Sequence, residues 1–182
     1  MAKLVFLEGL PGVGKTTIIN SIKNKNNDNL LCIDEIIKEN IINNVSTDEN
    51  EYLNNDNMKL ELYYKYKNSD KIIIMDRGPL STLSYNQARH IMDNKHEVEQ
   101  IEQWFENLSD IYSKNVVVYY LTNNGMNHQI SVNDPFGPFG NINGQKLFES
   151  ICKFNANKYF TNVVIKYYDK SNMEEIIDEI IN

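Results

Sequence analysis

Residues 9–16 constrain this chain more strongly than any other stretch. They read Gly9-Leu10-Pro11-Gly12-Val13-Gly14-Lys15-Thr16 and match the pattern G-x-x-x-x-G-K-[ST] at every fixed position. A short apolar run precedes them at residues 4–7, and apolar side chains recur at helical spacing after Thr17. A strand, a glycine-rich loop and a helix form the context that a phosphate-binding loop requires, so a chance glycine-rich turn is the less favoured interpretation.

The residue types in this loop indicate how it would bind a nucleoside triphosphate. The glycines let backbone N–H groups point at phosphate oxygens, and the start of the next helix adds the positive end of its dipole. Lys15 would reach the β- and γ-phosphates, and the Thr16 hydroxyl would hold Mg²⁺. The expected cofactors are ATP and Mg²⁺. The expected ATP-binding residues are Gly9, Leu10, Pro11, Gly12, Val13, Gly14, Lys15, Thr16 and Thr17.

Short apolar runs alternate with longer amphipathic segments along the whole chain. The runs predict strands over residues 4–7, 30–33, 71–75, 116–121 and 163–167. Helical patterns cover residues 15–21, 35–42, 48–67, 80–92, 98–113, 144–160 and 173–181. Continuous apolar runs are typical of parallel strands that are buried on both faces. We therefore expect one α/β domain over residues 1–182, with a doubly wound parallel sheet and helices on both faces.

One long segment, residues 122–143, shows no periodicity. It contains Asp134-Pro135-Phe136-Gly137-Pro138-Phe139-Gly140, whose proline and glycine content argues against helix and strand. A loop of this length in a compact domain is usually a functional lid or disordered. Its phenylalanines favour a lid, because disordered segments are poor in aromatic residues.

Two polar residues follow the third predicted strand. Ligands of open α/β sheets bind beyond the carboxyl ends of the strands, so Asp76 would lie beside the phosphate loop and could hold Mg²⁺ directly or through water. Arg77 is one of only two arginines in the chain. Its guanidinium could bind phosphate or carboxylate with two parallel hydrogen bonds, and the alternative is a surface salt bridge at the strand end.

The second predicted strand also ends in acids, Asp34 and Glu35. A carboxylate there could take a proton from an acceptor hydroxyl or hold metal, and Asp34 could instead cap the helix predicted over residues 35–42. We expect Asp34 to be the cap and Glu35 the reactive group. Further along, Ser81 and Tyr85 lie one helical turn apart, together with Arg89. They could contact a sugar or base, or form a solvated face, and both interpretations stay open.

Composition restricts the remaining possibilities. A formal net charge of -7 argues against a general nucleic-acid-binding protein. The two cysteines, Cys32 and Cys152, are expected to be buried structural thiols, consistent with a reducing compartment. No apolar stretch approaches the length of a membrane span, and the N-terminal run is too short for a signal peptide. We expect a cytoplasmic protein with a small-molecule substrate and no membrane or nucleic-acid partner.

Several motifs together resemble the thymidylate kinase and deoxynucleoside kinase branch of the P-loop kinases. They are Glu8-Gly9-x-x-Gly12-x-Gly14-Lys15-Thr16-Thr17, Asp76-Arg77-x-x-x-Ser81-x-x-x-Tyr85, Leu147-Phe148-Glu149 with Phe154 and Tyr159, and Tyr168-Asp169-x-Ser171 with the acidic helix after it. The resemblance implies a five-stranded parallel sheet and transfer of the γ-phosphoryl group of ATP to a nucleoside or nucleoside monophosphate. It also implies that Arg77 contacts the acceptor or the travelling phosphoryl group, and it leaves a homodimer open.

The chain departs from these families at specific places. Pro11 stands where thymidylate kinases usually carry Asp, and Asp34-Glu35-Ile36 stands where they have an Arg-Glu-Pro turn. Deoxynucleoside kinases have a glutamate near this position that acts as the catalytic base, and Glu35 could match it. Residues 122–143 contain no arginine, whereas both families place arginines in the lid. Three cations could substitute for them: His128, Lys146 and Lys153.

The candidate site therefore has three parts, each defined by residue number. The catalytic candidates are Lys15, Glu35, Asp76 and Arg77. The acceptor-binding candidates are Asp34, Glu35, Arg77, Ser81 and Tyr85, and the metal ligands are Thr16 and Asp76. The scarcity of arginines favours a nucleoside acceptor, whereas the order of the motifs favours a nucleoside monophosphate. We prefer the nucleoside slightly. The alternatives are a kinase for another hydroxylated metabolite and a nucleotide-dependent switch, although Asn94-Lys95-His96-Glu97 lacks the Asp of a guanine-recognition motif.

Overall fold

Five parallel strands form the centre of the structure, a computed structural model that describes residues 1–36, 50–94, 98–108, 111, 115–123, 134 and 137–182. The strands are β1 (Lys3–Gly9), β2 (Leu30–Ile33), β3 (Ile72–Asp76), β4 (Val116–Thr122) and β5 (Val163–Tyr167). They pair in the order β2-β3-β1-β4-β5, and every pair is parallel. This order confirms the predicted α/β class with a five-stranded parallel sheet.

Six helices surround this sheet in the described part of the chain. They are α1 (Lys15–Asn24), α2 (Asn50–Tyr66), α3 (Pro79–Asp93), α4 (Glu99–Glu106), α5 (Ile142–Tyr159) and α6 (Met173–Ile181). None of the described helices is both long and apolar enough to cross a lipid bilayer.

Alternation of side chains along β1 divides the core into two layers. Leu4 and Phe6 point to one face of the sheet, where they pack with residues of α2, α3, α4 and α5. Val5 and Leu7 point to the other face, where they pack with α1 and α6. The prediction that strands are buried on both faces holds for the central strands, whereas the edge strand β5 leaves Ile165 49% exposed.

Helix boundaries differ from the predicted ones where local capping decides the end. The helix predicted over residues 98–113 is shorter, because α4 ends at Glu106 and the backbone N–H of Asn107 caps it by bonding the carbonyl of Gln103. The helix α3 begins one residue early at Pro79, since the fixed φ of proline suits the first helical position. Most of the helix predicted over residues 35–42 lies outside the described residues.

The segment before α5 corrects the expectation that residues 134–140 hold no helix. Pro138–Gly140 form one turn of 3₁₀ helix, with proline at its start and the N–H of Gly140 bonded to the carbonyl of Gly137 at 3.1 Å. The side chain of Asn141 then accepts a hydrogen bond from the N–H of Gly144 at 2.8 Å. This cap starts α5 at Ile142, two residues before the predicted start.

Strand register brings the phosphate loop next to the end of β3. Leu7 of β1 pairs with Asp76 of β3, so the loop that begins at Gly9 leaves the sheet at the same edge as Asp76 and Arg77. Because β2 and β3 lie on one side of β1 and β4 lies on the other, β1 is at the point where the strand order reverses. Ligands of open α/β sheets bind in the crevice at such a point.

We expect the substitution Phe6→Ala to lower the free energy of unfolding by about 3–5 kcal/mol, because it empties a fully buried site. Phe6 is 0% exposed, and its ring meets that of Phe160 edge to face at 5.7 Å. The matched control is Phe154→Ala on α5, where the side chain is 68% exposed and a change within about 0.5 kcal/mol is expected. Denaturant titration measures both, and equal losses in the two variants would contradict this account of the core.

Candidate active site

The phosphate loop has the backbone that its glycines predict. Gly9, Gly12 and Gly14 adopt φ angles of 139°, 77° and 110°, a region that side-chain-bearing residues rarely adopt. At Gly14 space is limiting as well, since a Cβ there would lie 2.2 Å from the ring of Tyr168. Two side chains of the loop itself are buried: Leu10 belongs to the core layer of Phe6, and Val13 belongs to that of Val5.

Lys15 lies inside the loop rather than in solvent. Its side chain is 5% exposed, and its Nζ donates hydrogen bonds to the carbonyls of Gly9 and Leu10, both at 3.0 Å. Burial and the positive charge of Arg77 together lower the pKa of Lys15 to about 7, against the opposing effect of the nearby carboxylates. The structure therefore holds the amino group of Lys15 at the centre of the loop, where a bound triphosphate would favour its charged form.

Thr16 and Asp76 are in direct contact. The Thr16 hydroxyl donates to Oδ2 of Asp76 at 3.0 Å, whereas Oδ1 of Asp76 is buried and accepts no hydrogen bond from the described residues. Burial raises the pKa of Asp76, and the charge of Lys15 opposes that shift. A hydroxyl and an unsatisfied carboxylate oxygen are hard ligands of the kind that Mg²⁺ prefers, so the two predicted metal ligands fit the ion.

Arg77 joins three elements at the end of β3. Its φ of 57° is left-handed, and its side chain is 8% exposed. Its Nε lies 2.7 Å from Oε1 of Glu35, an ion pair without hydrogen-bond geometry, and its Nη1 donates to the Ser81 hydroxyl at 3.4 Å. The guanidinium also lies 5.3 Å from the centre of the Phe139 ring. Arg77 thus contacts the segment after β2, helix α3 and the 3₁₀ turn.

The two acids after β2 point in different directions. Glu35 faces Arg77, and its backbone carbonyl accepts a hydrogen bond from Asn55 at 2.8 Å. Asp34 instead forms an ion pair with Lys23 of α1 at 2.5 Å. Of the two acceptor-side carboxylates, the structure brings only Glu35 together with Arg77, and Asp34 remains a prediction as an acceptor ligand.

Ser81 is buried and Tyr85 is half-buried, so these two side chains of α3 do not form a solvated face. The Ser81 hydroxyl donates a short hydrogen bond to Oε2 of Glu8. The Tyr85 hydroxyl donates to Oδ1 of Asp134 at 2.8 Å, and burial together with this bond raises the pKa of Tyr85. The other oxygen of Asp134 accepts from the N–H of Phe139 at 2.9 Å. Tyr85 and Asp134 therefore hold Phe139 beside Arg77.

Glu8 belongs to this site, although sequence reasoning assigned it no role. It is fully buried on β1, and its Oε1 accepts a hydrogen bond from the N–H of Gly78 at 3.0 Å. Burial raises the pKa of Glu8, and its bond to Ser81 and the charge of Arg77 oppose that shift. The sequence did contain a signal: Glu8 follows Leu4 and Phe6 at every second position of the strand, so its side chain points to the same buried face.

Lys59 and Asp56, both on α2, were also missed. Lys59 is 1% exposed, and its Nζ donates to the carbonyls of Asp76 at 3.1 Å and Arg77 at 3.2 Å. Asp56 lies 3.9 Å from this ammonium and accepts a hydrogen bond from the Thr82 hydroxyl at 2.6 Å. Nothing in the local sequence signals this arrangement, because polar residues on an amphipathic helix usually face water.

A cavity of about 220 Å³ lies beside the phosphate loop. Leu10 and Val13 bound it on one side, the end of β4 forms its floor, and Lys146 and Glu149 of α5 close it. Lys153, the second candidate for the missing lid arginines, is engaged by Glu149 at 2.8 Å. The third candidate, His128, lies outside the described residues.

Comparison with known proteins identifies the fold. No family model matches the sequence, and a search of curated proteins finds no relative. Among solved structures, a thymidylate kinase from Ehrlichia chaffeensis superposes with a TM-score of 0.64 at 17% identity, covering 99% of this chain and 97% of that one. A thymidylate kinase from Candida albicans gives a TM-score of 0.64 at 15% identity, covering 98% and 89%. The chain therefore has the fold of the thymidylate kinase-like nucleotide kinases, as its motifs indicated.

Proposed function

We propose that this protein is an ATP-dependent kinase that phosphorylates a nucleoside or a nucleoside monophosphate. The observation that carries the proposal is the convergence of three pairs at one sheet edge: the loop glycines with Lys15, Thr16 with Asp76, and Arg77 with Glu35. Two solved structures of the same fold are thymidylate kinases, which supports a nucleotide-type substrate.

The phosphate loop, residues Gly9 to Thr17, would bind the triphosphate. Lys15 would exchange its two carbonyl acceptors for oxygens of the β- and γ-phosphates, which are stronger acceptors because they are charged. The backbone N–H groups around Gly14 and the first turn of α1 would bind the remaining oxygens. The cavity beside Leu10 and Val13 gives the rest of the nucleotide a place against the loop.

Thr16 and Asp76 would hold Mg²⁺ at the phosphates. Kinase Mg²⁺ sites use one or two protein ligands and complete the coordination with water and substrate oxygens. That pattern suits Thr16 and Asp76, which would supply two protein ligands from adjacent positions. When bound, the ion neutralises charge that develops on the phosphate oxygens.

Glu35 and Arg77 would handle the acceptor. The acceptor hydroxyl oxygen forms a bond to the γ-phosphorus, its proton passes to the Glu35 carboxylate, and the bond to the departing ADP breaks with its electron pair on ADP. Arg77, held between Glu35, Ser81 and Phe139, would bind the travelling phosphoryl group. Tyr85 would fix the wall of the acceptor side through Asp134, and Asp34 lies one residue away from the reactive carboxylate.

Charge favours a nucleoside over a monophosphate as acceptor. A phosphate monoester brings about two negative charges and normally meets several arginines. Here Arg77 is already against Glu35 at 2.7 Å, and the other arginine of the chain, Arg89, lies 3.9 Å from Asp93. Both structural neighbours are thymidylate kinases, which favours the monophosphate. We prefer a nucleoside or deoxynucleoside, and a phosphorylation screen that includes other hydroxylated metabolites tests this choice.

We expect Lys15→Ala to abolish detectable transfer, a loss above roughly 10³-fold, because a preorganised cation is removed from the developing charge. Circular dichroism and thermal melting should show an intact fold, since Lys15 supports no apolar packing. The control is Lys65→Ala on the exposed side of α2, which should transfer normally. A folded Lys15→Ala protein with near-normal turnover would end the kinase proposal.

For Asp76→Asn we expect kcat to fall by roughly 10²-fold with little change in thermal stability. The amide keeps the shape and can still accept the bond from Thr16, but it ligates Mg²⁺ poorly. Steady-state kinetics over a range of Mg²⁺ concentrations measure the effect, with Asp70→Asn as a solvent-exposed control. If Asp76→Asn unfolds the protein while activity per folded molecule persists, Asp76 is structural.

Glu35→Gln separates the two acceptor classes. If Glu35 is the base for a nucleoside hydroxyl, the variant should lose at least ~10²-fold in kcat on thymidine and other nucleosides. The measurement is the rate of phosphorylation of nucleosides and of thymidine monophosphate by both enzymes. Efficient phosphorylation of the monophosphate, no activity on nucleosides and an unaffected variant would together reverse our preference.

A further inference from the structure

We propose that Lys59 is a positioning residue of this site: its ammonium holds the backbone at Asp76 and Arg77, and thereby sets the directions of the Asp76 carboxylate and the Arg77 guanidinium. The catalytic part of this inference rests on the proposed function. Its structural part concerns the backbone alone and can be tested without any substrate.

The first step is the contact itself. Lys59 is 1% exposed, and its Nζ donates to two consecutive carbonyls, those of Asp76 at 3.1 Å and Arg77 at 3.2 Å. These bonds reach from α2 to the residues where β3 ends. Of the buried lysines in the described part of the chain, Lys59 binds the backbone of the strand end and Lys15 binds that of the phosphate loop.

The second step is the backbone conformation that these bonds accompany. Consecutive carbonyls of a strand point in opposite directions, so one donor cannot normally reach both. The left-handed φ of 57° at Arg77 turns the chain so that both carbonyls face Lys59. Arginine rarely adopts this conformation, and a conformation of this kind persists only where the surroundings hold it. The ammonium is the group that meets both carbonyls.

The third step is the support of Lys59. Asp56 lies one helical turn earlier on α2 and 3.9 Å from the ammonium, so it balances the buried charge. The hydroxyl of Thr82 on α3 donates to the other oxygen of Asp56 at 2.6 Å. Contacts from α2 and α3 therefore hold the Lys59 ammonium in place, and the ammonium in turn holds the backbone at the end of β3.

The consequence is the pair of contacts that the turn makes possible. From this backbone, the Asp76 carboxylate reaches Thr16 and the Arg77 guanidinium reaches Glu35 and Ser81. Without Lys59, both carbonyls would be buried acceptors without this donor, and the turn would be free to relax. Both side chains would then leave the directions that the proposed reaction needs.

The test compares Asp56→Asn with the double variant Asp56→Asn/Lys59→Met. The double variant leaves no unpaired charge buried, and the two proteins differ only at residue 59. Because Asp56→Asn keeps the Lys59 ammonium without its counter-ion, the wild type is measured beside both. Native-state hydrogen exchange reads the turn at the amide of Gly78, which donates to Glu8, and the amide of Val5 in β1 reports global stability. We expect Gly78 to exchange about tenfold faster in the double variant, relative to Val5, as for the loss of a buried hydrogen bond.

Two further variants secure the comparison. On the Asp56→Asn background, Lys59→Gln keeps an uncharged donor, leaves no unpaired charge buried and should show a smaller acceleration at Gly78 than the double variant. Lys65→Met is the matched control on the exposed side of α2 and should change nothing. Exchange at Gly78 that changes only in step with Val5, in the double variant and in Lys59→Gln alike, overturns the inference.

The second readout separates positioning from mere stability. It is the ratio of the affinities for a non-hydrolysable ATP analogue with and without Mg²⁺, measured together with kcat. We expect both to fall about tenfold in the double variant relative to Asp56→Asn, because Asp76 and Arg77 lose their directions. Faster Gly78 exchange with an unchanged ratio and kcat would show a purely structural lysine. If Gly78 exchanges faster in the double variant but the wild-type protein binds no nucleotide, the structural role of Lys59 is supported and the proposed function is rejected.

Discussion

Compensation of buried charge is the constraint on which this site depends. In the described part of the chain, three acids and three bases are buried, and all six lie around the edge where β1 and β3 end: Glu8, Asp56, Asp76, Lys15, Lys59 and Arg77. A buried charge is costly unless an opposite charge and hydrogen bonds accompany it. Because their formal charges cancel, the cluster can be preorganised away from water. It also ties β1, β3, α1 and α2 into one arrangement, so the position of each charged group depends on the others.

The fold could be predicted because its determinants are local. Apolar runs such as Leu30–Ile33 and Val163–Tyr167 have the length of a typical strand. The segment Met173–Ile181 carries its apolar residues at helical spacing. The predicted helix boundaries were wrong where a backbone hydrogen bond ends the helix, as at Asn107 after α4. They were also wrong where a single proline starts a turn, as at Pro138. The prediction that every strand is buried on both faces failed at the edge strand β5 for another reason. Strand order is set by pairing across the sheet, and no local sequence pattern encodes it.

The site was predictable only in part, for the same physical reason. The phosphate loop and Lys15 follow from a contiguous pattern, and Asp76 follows from the rule that ligands bind at the carboxyl ends of strands. Glu8 and Lys59 have partners 70 and 17 residues away, so their roles exist only after folding. Asp34 and Glu35 were hard to distinguish because β2 ends at Ile33, so no strand alternation predicts which of the two side chains turns towards the site. The folded chain brings Asp34 to Lys23 and Glu35 to Arg77.

Arg77 links the acceptor side of the proposed reaction to the 3₁₀ turn before α5. Its guanidinium contacts Glu35 at the end of β2 and the ring of Phe139 in the 3₁₀ turn. Phe139 in turn is fixed by Asp134, which binds both its N–H and the hydroxyl of Tyr85. An acceptor that draws Glu35 away from Arg77 would therefore change the charge that the Phe139 ring faces, and a movement of Phe139 would change the environment of the guanidinium. In the proposed reaction, binding of the acceptor and the position of Phe139 would therefore be coupled through Arg77, whose backbone carbonyl Lys59 binds.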